Sequence, residues 1–229
     1  MILKVINLSV YYKDENRPVL SDISFSVNEG ERVALFGLNG SGKTTLMLAI
    51  VGLLKYTGEI YFKGNLISNK NIEELREKTG FLFSIPDDQI LFPTVLEDIS
   101  FTMIRKGISK SEANKRAEEI ASRLGIERYL NSYTFNLSYG ERLKVALGGI
   151  LAAEPELLLL DEPSSGLDPP AKRRLCDLMS GLDSTQLIAT HDIDFALAFC
   201  NRYLLLESGR LIMEGSEFDK IRRYWESQR

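Results

Sequence analysis

The segment Gly37-Leu38-Asn39-Gly40-Ser41-Gly42-Lys43-Thr44 constrains the fold more than any other part of the chain. It fits G-x-x-x-x-G-K-[ST], follows the short apolar run Val33-Ala34-Leu35-Phe36, and precedes Leu46, Ile50, Leu53 and Leu54 at helical spacing. A strand, a glycine-rich loop and a helix beginning near Lys43 are what polyphosphate binding requires. Glycines let consecutive backbone N–H groups converge on phosphate oxygens, and the helix N-terminus adds its partial positive charge. Lys43 is placed for the β- and γ-phosphates of a nucleotide, the Thr44 hydroxyl for Mg²⁺, and Thr45 follows in the same turn. A glycine-rich turn that binds nothing is the plain alternative; the strand–loop–helix context counts against it.

The second constraint is acidic. Leu157-Leu158-Leu159-Leu160 ends in Asp161-Glu162, which puts two carboxylates at the C-terminal tip of a buried strand, where ligands sit in open α/β sheets. Asp161 suits a Mg²⁺ role, and Glu162 is placed to polarise an attacking water. Two solvated loop acids before Pro163 would be the reading if no phosphate loop existed.

Around these segments the pattern alternates. Residues 2–27 read as antiparallel strands broken at Asp14-Glu15-Asn16, and 58–67 as a hairpin turning at Gly64-Asn65. Residues 89–136 read as mostly helical, followed by the apolar helical stripe Leu143, Ala146, Leu147, Ile150 and Leu151. Beyond it, strands at 157–160, 187–189 and 203–206 alternate with helices at 169–182 and 193–200, so a parallel sheet with helical crossovers is expected. The tail from Phe218 is charged, with Trp225 placed to dock it. Cys176 and Cys200 cannot form a disulfide framework, and a single histidine, His191, excludes a multi-histidine metal centre. The net charge of −4 gives no reason to expect nucleic acid. Apolar runs such as 145–153 fall short of the ~20 residues of a spanning helix, so an intracellular chain held at any membrane by a partner is expected.

Leu137-Ser138-Tyr139-Gly140-Glu141, ahead of the apolar helix and of Asp161, resembles the signature L-S-G-G-Q of the ATP-binding-cassette (ABC) ATPases, departing from it at Tyr139 and Glu141. The resemblance runs from about Leu3 to Gly215 and its motifs come in order. It implies an α/β fold of P-loop NTPase type, with a mostly parallel core, an N-terminal antiparallel β subdomain and an inserted helical signature subdomain. The expected layout is a single domain over 1–229, with 1–88 and 154–229 as core and 89–153 as helical subdomain. It further implies that Ser138 and Gly140, with Glu141 beside them, serve the nucleotide bound to the opposite subunit. Gln89 matches the Q-loop glutamine, which contacts Mg²⁺ and the attacking water. Ser165-Gly166-Leu167-Asp168 matches the D-loop at the dimer interface, and His191 the switch histidine on the γ-phosphate. Tyr12, with Tyr11 as alternate, takes the aromatic position that stacks on adenine, although either also suits a strand core.

Pro86-Asp87-Asp88-Gln89-Ile90-Leu91-Phe92, followed by Pro93-Thr94-Val95 and Glu97-Asp98, resembles the Q-loop of ATPases from energy-coupling-factor transporters, including the cobalt type. That likeness implies an importer of a vitamin or metal ion, a homo- or heterodimer of ATPases on the inner face of the cell membrane, and a transmembrane subunit docking at Asp87 and Asp88. Capping of a short helix from Gln89 is the alternative role for the two acids. Soluble ABC ATPases of DNA or the ribosome form the competing class. They insert coiled coils, carry zinc cysteines or fuse two ATPase domains, and none of these features is present in the sequence.

Overall fold

The computed structural model describes residues 1–12 and 17–227, so the expected break at Asp14-Glu15-Asn16 lies outside the described residues. In chain order come β1 (Leu3–Val10), β2 (Leu20–Val27), β3 (Arg32–Phe36), α1 (Lys43–Ile50), β4 (Tyr56–Phe62), β5 (Asn65–Leu66), α2 (Ile72–Lys78) and β6 (Thr79–Leu82). Three helices follow: α3 (Val95–Arg105), α4 (Lys110–Leu124) and α5 (Tyr139–Leu151). The chain then runs β7 (Leu157–Asp161), α6 (Pro169–Ser180), β8 (Thr185–Thr190), α7 (Ile193–Leu197), β9 (Arg202–Glu207), β10 (Arg210–Gly215) and α8 (Phe218–Ser227).

Two sheets result. The smaller, antiparallel one has the order β2-β1-β4-β5, with Leu3 opposite Val27 and Val10 opposite Leu20. The larger has the order β10-β9-β3-β8-β7-β6 and is parallel except for the β9–β10 hairpin. Its central strands β3, β7 and β8 carry the continuous apolar runs 33–36, 157–160 and 187–189 because both faces are covered. Val33, Leu35, Leu157, Leu159 and Leu187 face one core with Leu46, Met47 and Ile50 of α1 and the inner side of the small sheet. Ala34, Phe36, Leu158, Leu160 and Ile188 face the other, with residues of α3, α4, α5 and α6. Each fully buried leucine contributes roughly 1.5–3 kcal/mol. Both cysteines are free and buried, and burial pushes the thiols up to about 11 at Cys176 and about 12 at Cys200.

Several boundaries differ from the sequence reading. The helix after Lys43 stops at Ile50, and Leu53 is exposed. The small hairpin turns at Lys63-Gly64 rather than Gly64-Asn65, because these two residues carry the positive φ values of 50° and 81° that such a turn needs. No helix starts at Gln89: Pro86–Asp88 form a single 3₁₀ turn, and α3 begins only at Val95, where Thr94 and Glu97 make a reciprocal cap. Elements α2, β6 and β10 have no counterpart among the strands and helices expected from the sequence. The tail is helical as α8, and Trp225 does dock: its ring lies 6.3 Å from Phe36, the last residue of β3.

The β9–β10 turn fixes the position of the phosphate loop. Gly209 donates its N–H to Ser41 O at 3.1 Å and accepts from Ser21 N–H at 2.8 Å. Its φ is +75°, and a Cβ there would stand 2.1 Å from the backbone oxygen of Val19. Strain and overlap together should make Gly209→Ala destabilising by about 2 kcal/mol or more. For a chain of this size that lowers the thermal midpoint by roughly 4–8 °C in a calorimetric scan. An unchanged midpoint would mean that the turn accommodates a side chain by moving away from Val19.

Candidate active site

Parallel pairing brings three strand ends together. Phe36 of β3 is in register with Thr190 of β8, and Asp161 of β7 with Ala189 of β8. The loop after β3, the Asp161-Glu162 pair and His191 therefore meet at one edge of the sheet. Gly37 opens the loop where no side chain fits: a Cβ there would lie 2.6 Å from Leu206 O.

Lys43 is the first residue of α1, and its side chain is only 6% exposed. Its ammonium donates to the backbone oxygens of Gly37 at 2.8 Å and Leu38 at 3.4 Å, and pairs with Glu162 Oε1 at 3.2 Å. The Thr44 hydroxyl donates to Asp161 Oδ2 at 2.6 Å, while the buried Asp161 Oδ1 has no hydrogen-bond partner among the described residues. Burial pushes the Asp161 carboxyl up; the Thr44 hydrogen bond opposes this, the Glu162 charge adds to it, and the Lys43 charge opposes it. Glu162 adopts φ +48°, in the left-handed region, at a cost of roughly 1 kcal/mol or more for a residue with a side chain. Its Oε2 lies 2.9 Å from His191 Nδ1 and accepts the His191 backbone N–H at 3.4 Å.

These groups border a cavity of about 440 Å³ lined by Asn39, Gly40, Gly42, Lys43, Thr44, Thr45, Asp161 and Glu162. Val19 and Ser84 line it too. Neither was singled out from the sequence; Ser84 carries no motif, and only the C-terminal end of β6 brings it there. Tyr12 lies beside the same edge, 42% exposed, with its hydroxyl 3.3 Å from Thr45 Oγ1. Leu38, Asn39 and Gly40 are exposed, whereas Ser41 is buried.

Other expected residues are elsewhere. Gln89 does not line this cavity; its Oε1 accepts from Phe83 N–H at 2.9 Å, which holds the amide on its own loop. Ser138, Gly140, Glu141 and Asp168 border a second cavity of about 780 Å³ between α4, α5 and α6. Ser138 caps α5, and Glu141 closes the cap by accepting from Ser138 N–H at 2.8 Å and Oγ–H at 2.7 Å. The Tyr129 hydroxyl, followed by Ser138, holds the Glu141 carboxyl below its ordinary range against the opposing effect of burial. Asp168 caps α6 through the Ala171 N–H at 2.7 Å. Asp87 pairs with Arg142 of α5 at 3.0 Å, so its charge is already engaged within the chain, while Asp88 is exposed and makes no ion pair among the described residues. Asp98 is structural: its Oδ1 accepts the N–H groups of Leu91 and Phe92.

A strand-anchored phosphate loop, a paired acid edge and a capped signature helix define a nucleotide-binding ATPase cassette. The chain belongs to the ABC transporter family, whose model matches residues 20–165. It is the ATP-binding, ATP-hydrolysing subunit of an ABC transporter. It is 38% identical over 221 residues to the energy-coupling factor transporter ATP-binding protein EcfA of Methanocaldococcus jannaschii, covering 94% of this chain and 79% of that protein. Its fold is similar to cbiO1 of Clostridium perfringens, part of the ABC transporter complex cbiONQ, with a TM-score of 0.88 and 35% identity over 99% of this chain and 93% of that one. A dimeric ATP-binding cassette in a post-hydrolysis state with ADP and phosphate matches with a TM-score of 0.85 and 29% identity, over 94% of this chain and 98% of that one.

The geometry separates two roles by binding. If Lys43 serves the β-phosphate, as the loop motif implies, titration calorimetry on Lys43→Ala should show ATP and ADP both weakened at least tenfold. His191→Ala should leave ADP affinity within about twofold while slowing hydrolysis, because His191 is bound to Glu162 rather than to the loop. Equal loss of ADP binding in both variants would refute that division.

Proposed function

We propose that this chain hydrolyses ATP at sites completed by a second ATPase subunit and so powers an importer of the energy-coupling-factor type. One observation carries the reading. The phosphate-loop residues and the signature residues border two different cavities of the same chain, so one chain alone does not assemble both around one nucleotide. In a head-to-tail pair, the Ser138 and Gly140 backbone at the N-terminus of α5 would face the γ-phosphate held by the partner's loop.

Within each site, Lys43 leaves Glu162 for the β- and γ-phosphates of ATP, which releases the Glu162 carboxylate to accept a proton from the attacking water. His191 holds the other Glu162 oxygen and so orients that base. Tyr12 offers its exposed ring to adenine. Thr44 and Asp161 fit Mg²⁺, because they present hard oxygens and Asp161 Oδ1 is buried without a partner. Thr44 and Asp161 would hold the ion, which when bound supplies charge neutralisation on the phosphate oxygens. Hydrolysis removes the γ-phosphate contact between subunits and lets the pair open.

Among the described residues no helix is long and apolar enough to cross a membrane. In this reading a transmembrane partner subunit carries the transport path, and this chain binds it from the cytoplasmic side. Whole-chain likeness to EcfA and cbiO1 supports the energy-coupling-factor group; a vitamin or metal ion as cargo rests on the resemblance of the 86–98 segment alone.

Three measurements test this. Glu162→Gln should retain ATP binding, lose a hundredfold or more in turnover, and accumulate as an ATP-bound dimer on size-exclusion chromatography; near-normal turnover would remove Glu162 as the base. Mixing Lys43→Ala with Ser138→Arg subunits should restore up to about half of wild-type hydrolysis per mixed dimer, since one composite site then carries both lesions and the other neither. No recovery in verified mixed dimers would contradict completion in trans. Asp88→Asn should weaken copurification with the membrane subunit, and high salt should have the same effect, because an exposed pair contributes about 1 kcal/mol or less and is screened. Salt-independent, undiminished capture would remove Asp88 from the docking surface.

A further inference from the structure

The signature of this chain carries a tyrosine where the family pattern has glycine, and the side chain is spent within the chain. Tyr139 is the first residue of α5, its hydroxyl donates to the backbone oxygen of Ser84 at 3.1 Å, and Ser84 lies two residues beyond Leu82, the last residue of β6. The ring covers Gly166 so closely that a Cβ on Gly166 would come within 3.2 Å of Tyr139 Cε1. One turn further along α5, Arg142 pairs with Asp87 at 3.0 Å and donates to Leu137 O. Two contacts of different chemistry thus join the N-terminus of the signature helix to residues 84–87, and a third joins it to the D-loop segment 165–168. Burial and the Asp87 charge push the Tyr139 phenol up, with Arg142 opposing, so it stays a donor.

We infer that Tyr139 is a positioning residue, a strut that holds the signature helix in register with the Ser84–Gln89 segment and the D-loop before nucleotide bridges the subunits. Residues 84 and 162 border the phosphate cavity, so the strut links the edge of one site to the signature that serves the other. A helix N-terminus already ordered meets its phosphate without a further ordering cost, which lowers the ATP concentration needed for closure. This kinetic consequence rests on the trans reading above; the strut itself does not.

Amide hydrogen exchange on the isolated, nucleotide-free chain tests the strut directly. Tyr139→Phe keeps the ring over Gly166 and loses one hydrogen bond, so exchange over 83–89 and 138–144 should rise roughly two- to tenfold. Tyr139→Gly should raise it further, while 110–124 of α4 keeps its wild-type rate. In steady-state hydrolysis KM for ATP should rise in the order wild type, Phe, Gly, with kcat within about twofold and ADP affinity unchanged. Unchanged exchange over 83–89 in Tyr139→Gly would overturn the proposal, as it would if the phenol acted only by touching nucleotide. Raised exchange with an unmoved KM would overturn the positioning role. The mixed-subunit complementation reports separately on the trans arrangement, so the two failures are distinguishable.

Discussion

Lys43 holds a nearly buried ammonium at the C-terminal edge of a parallel sheet, and a cation there must be surrounded by oxygens. Those oxygens come from the chain itself: the Gly37 and Leu38 carbonyls and Glu162. Much of the surrounding architecture keeps that arrangement in place. Phe36 must end β3 beside Thr190, Gly37 must pass Leu206 without a side chain, and the β9–β10 turn must anchor Ser41. In the proposed reading, substrate phosphates replace chain oxygens around a charge that is already in position, so little reorganisation is needed on binding.

The same edge couples the acids to one another. Asp161 is tied to Thr44 and Glu162 to both Lys43 and His191, so the proposed base sits at the end of a chain of contacts that begins in the phosphate loop. The left-handed backbone at Glu162 aims its side chain back across the sheet edge, and the Ala189 carbonyl fixes that bend by accepting the Glu162 N–H at 2.9 Å. A strained conformer is tolerated because β7 and β8 hold it on either side.

The signature helix is built to a different requirement. Its first turn must leave backbone N–H groups available, yet the helix end must be stable. Ser138 and Glu141 satisfy two of those groups reciprocally, so Glu141 acts as a cap, a role that the family glutamine would also fill. The departure at Tyr139 acquires a role only through contacts at Ser84 and Gly166.

Local residue order alone specified the phosphate loop, the buried strands at 33–36 and 157–160, the acid pair and the alternation of strands with helices. These depend on glycine conformation, continuous apolar runs and residues adjacent in the chain, all of which are written locally. Sequence spacing could not show that Gln89 folds back on Phe83, that Asp87 is already paired with Arg142, or that Ser84 borders the phosphate cavity. Nor could it mark β6 and β10 as strands, since Thr79–Leu82 is too short to show a period and the exposed β10 exists by pairing with β9. These outcomes were decided in the tertiary structure: Asp87 meets Arg142 and β6 meets β7 only because packing brings together residues far apart in the chain, while Gln89 and β10 turn back on near neighbours in ways that residue type alone does not specify.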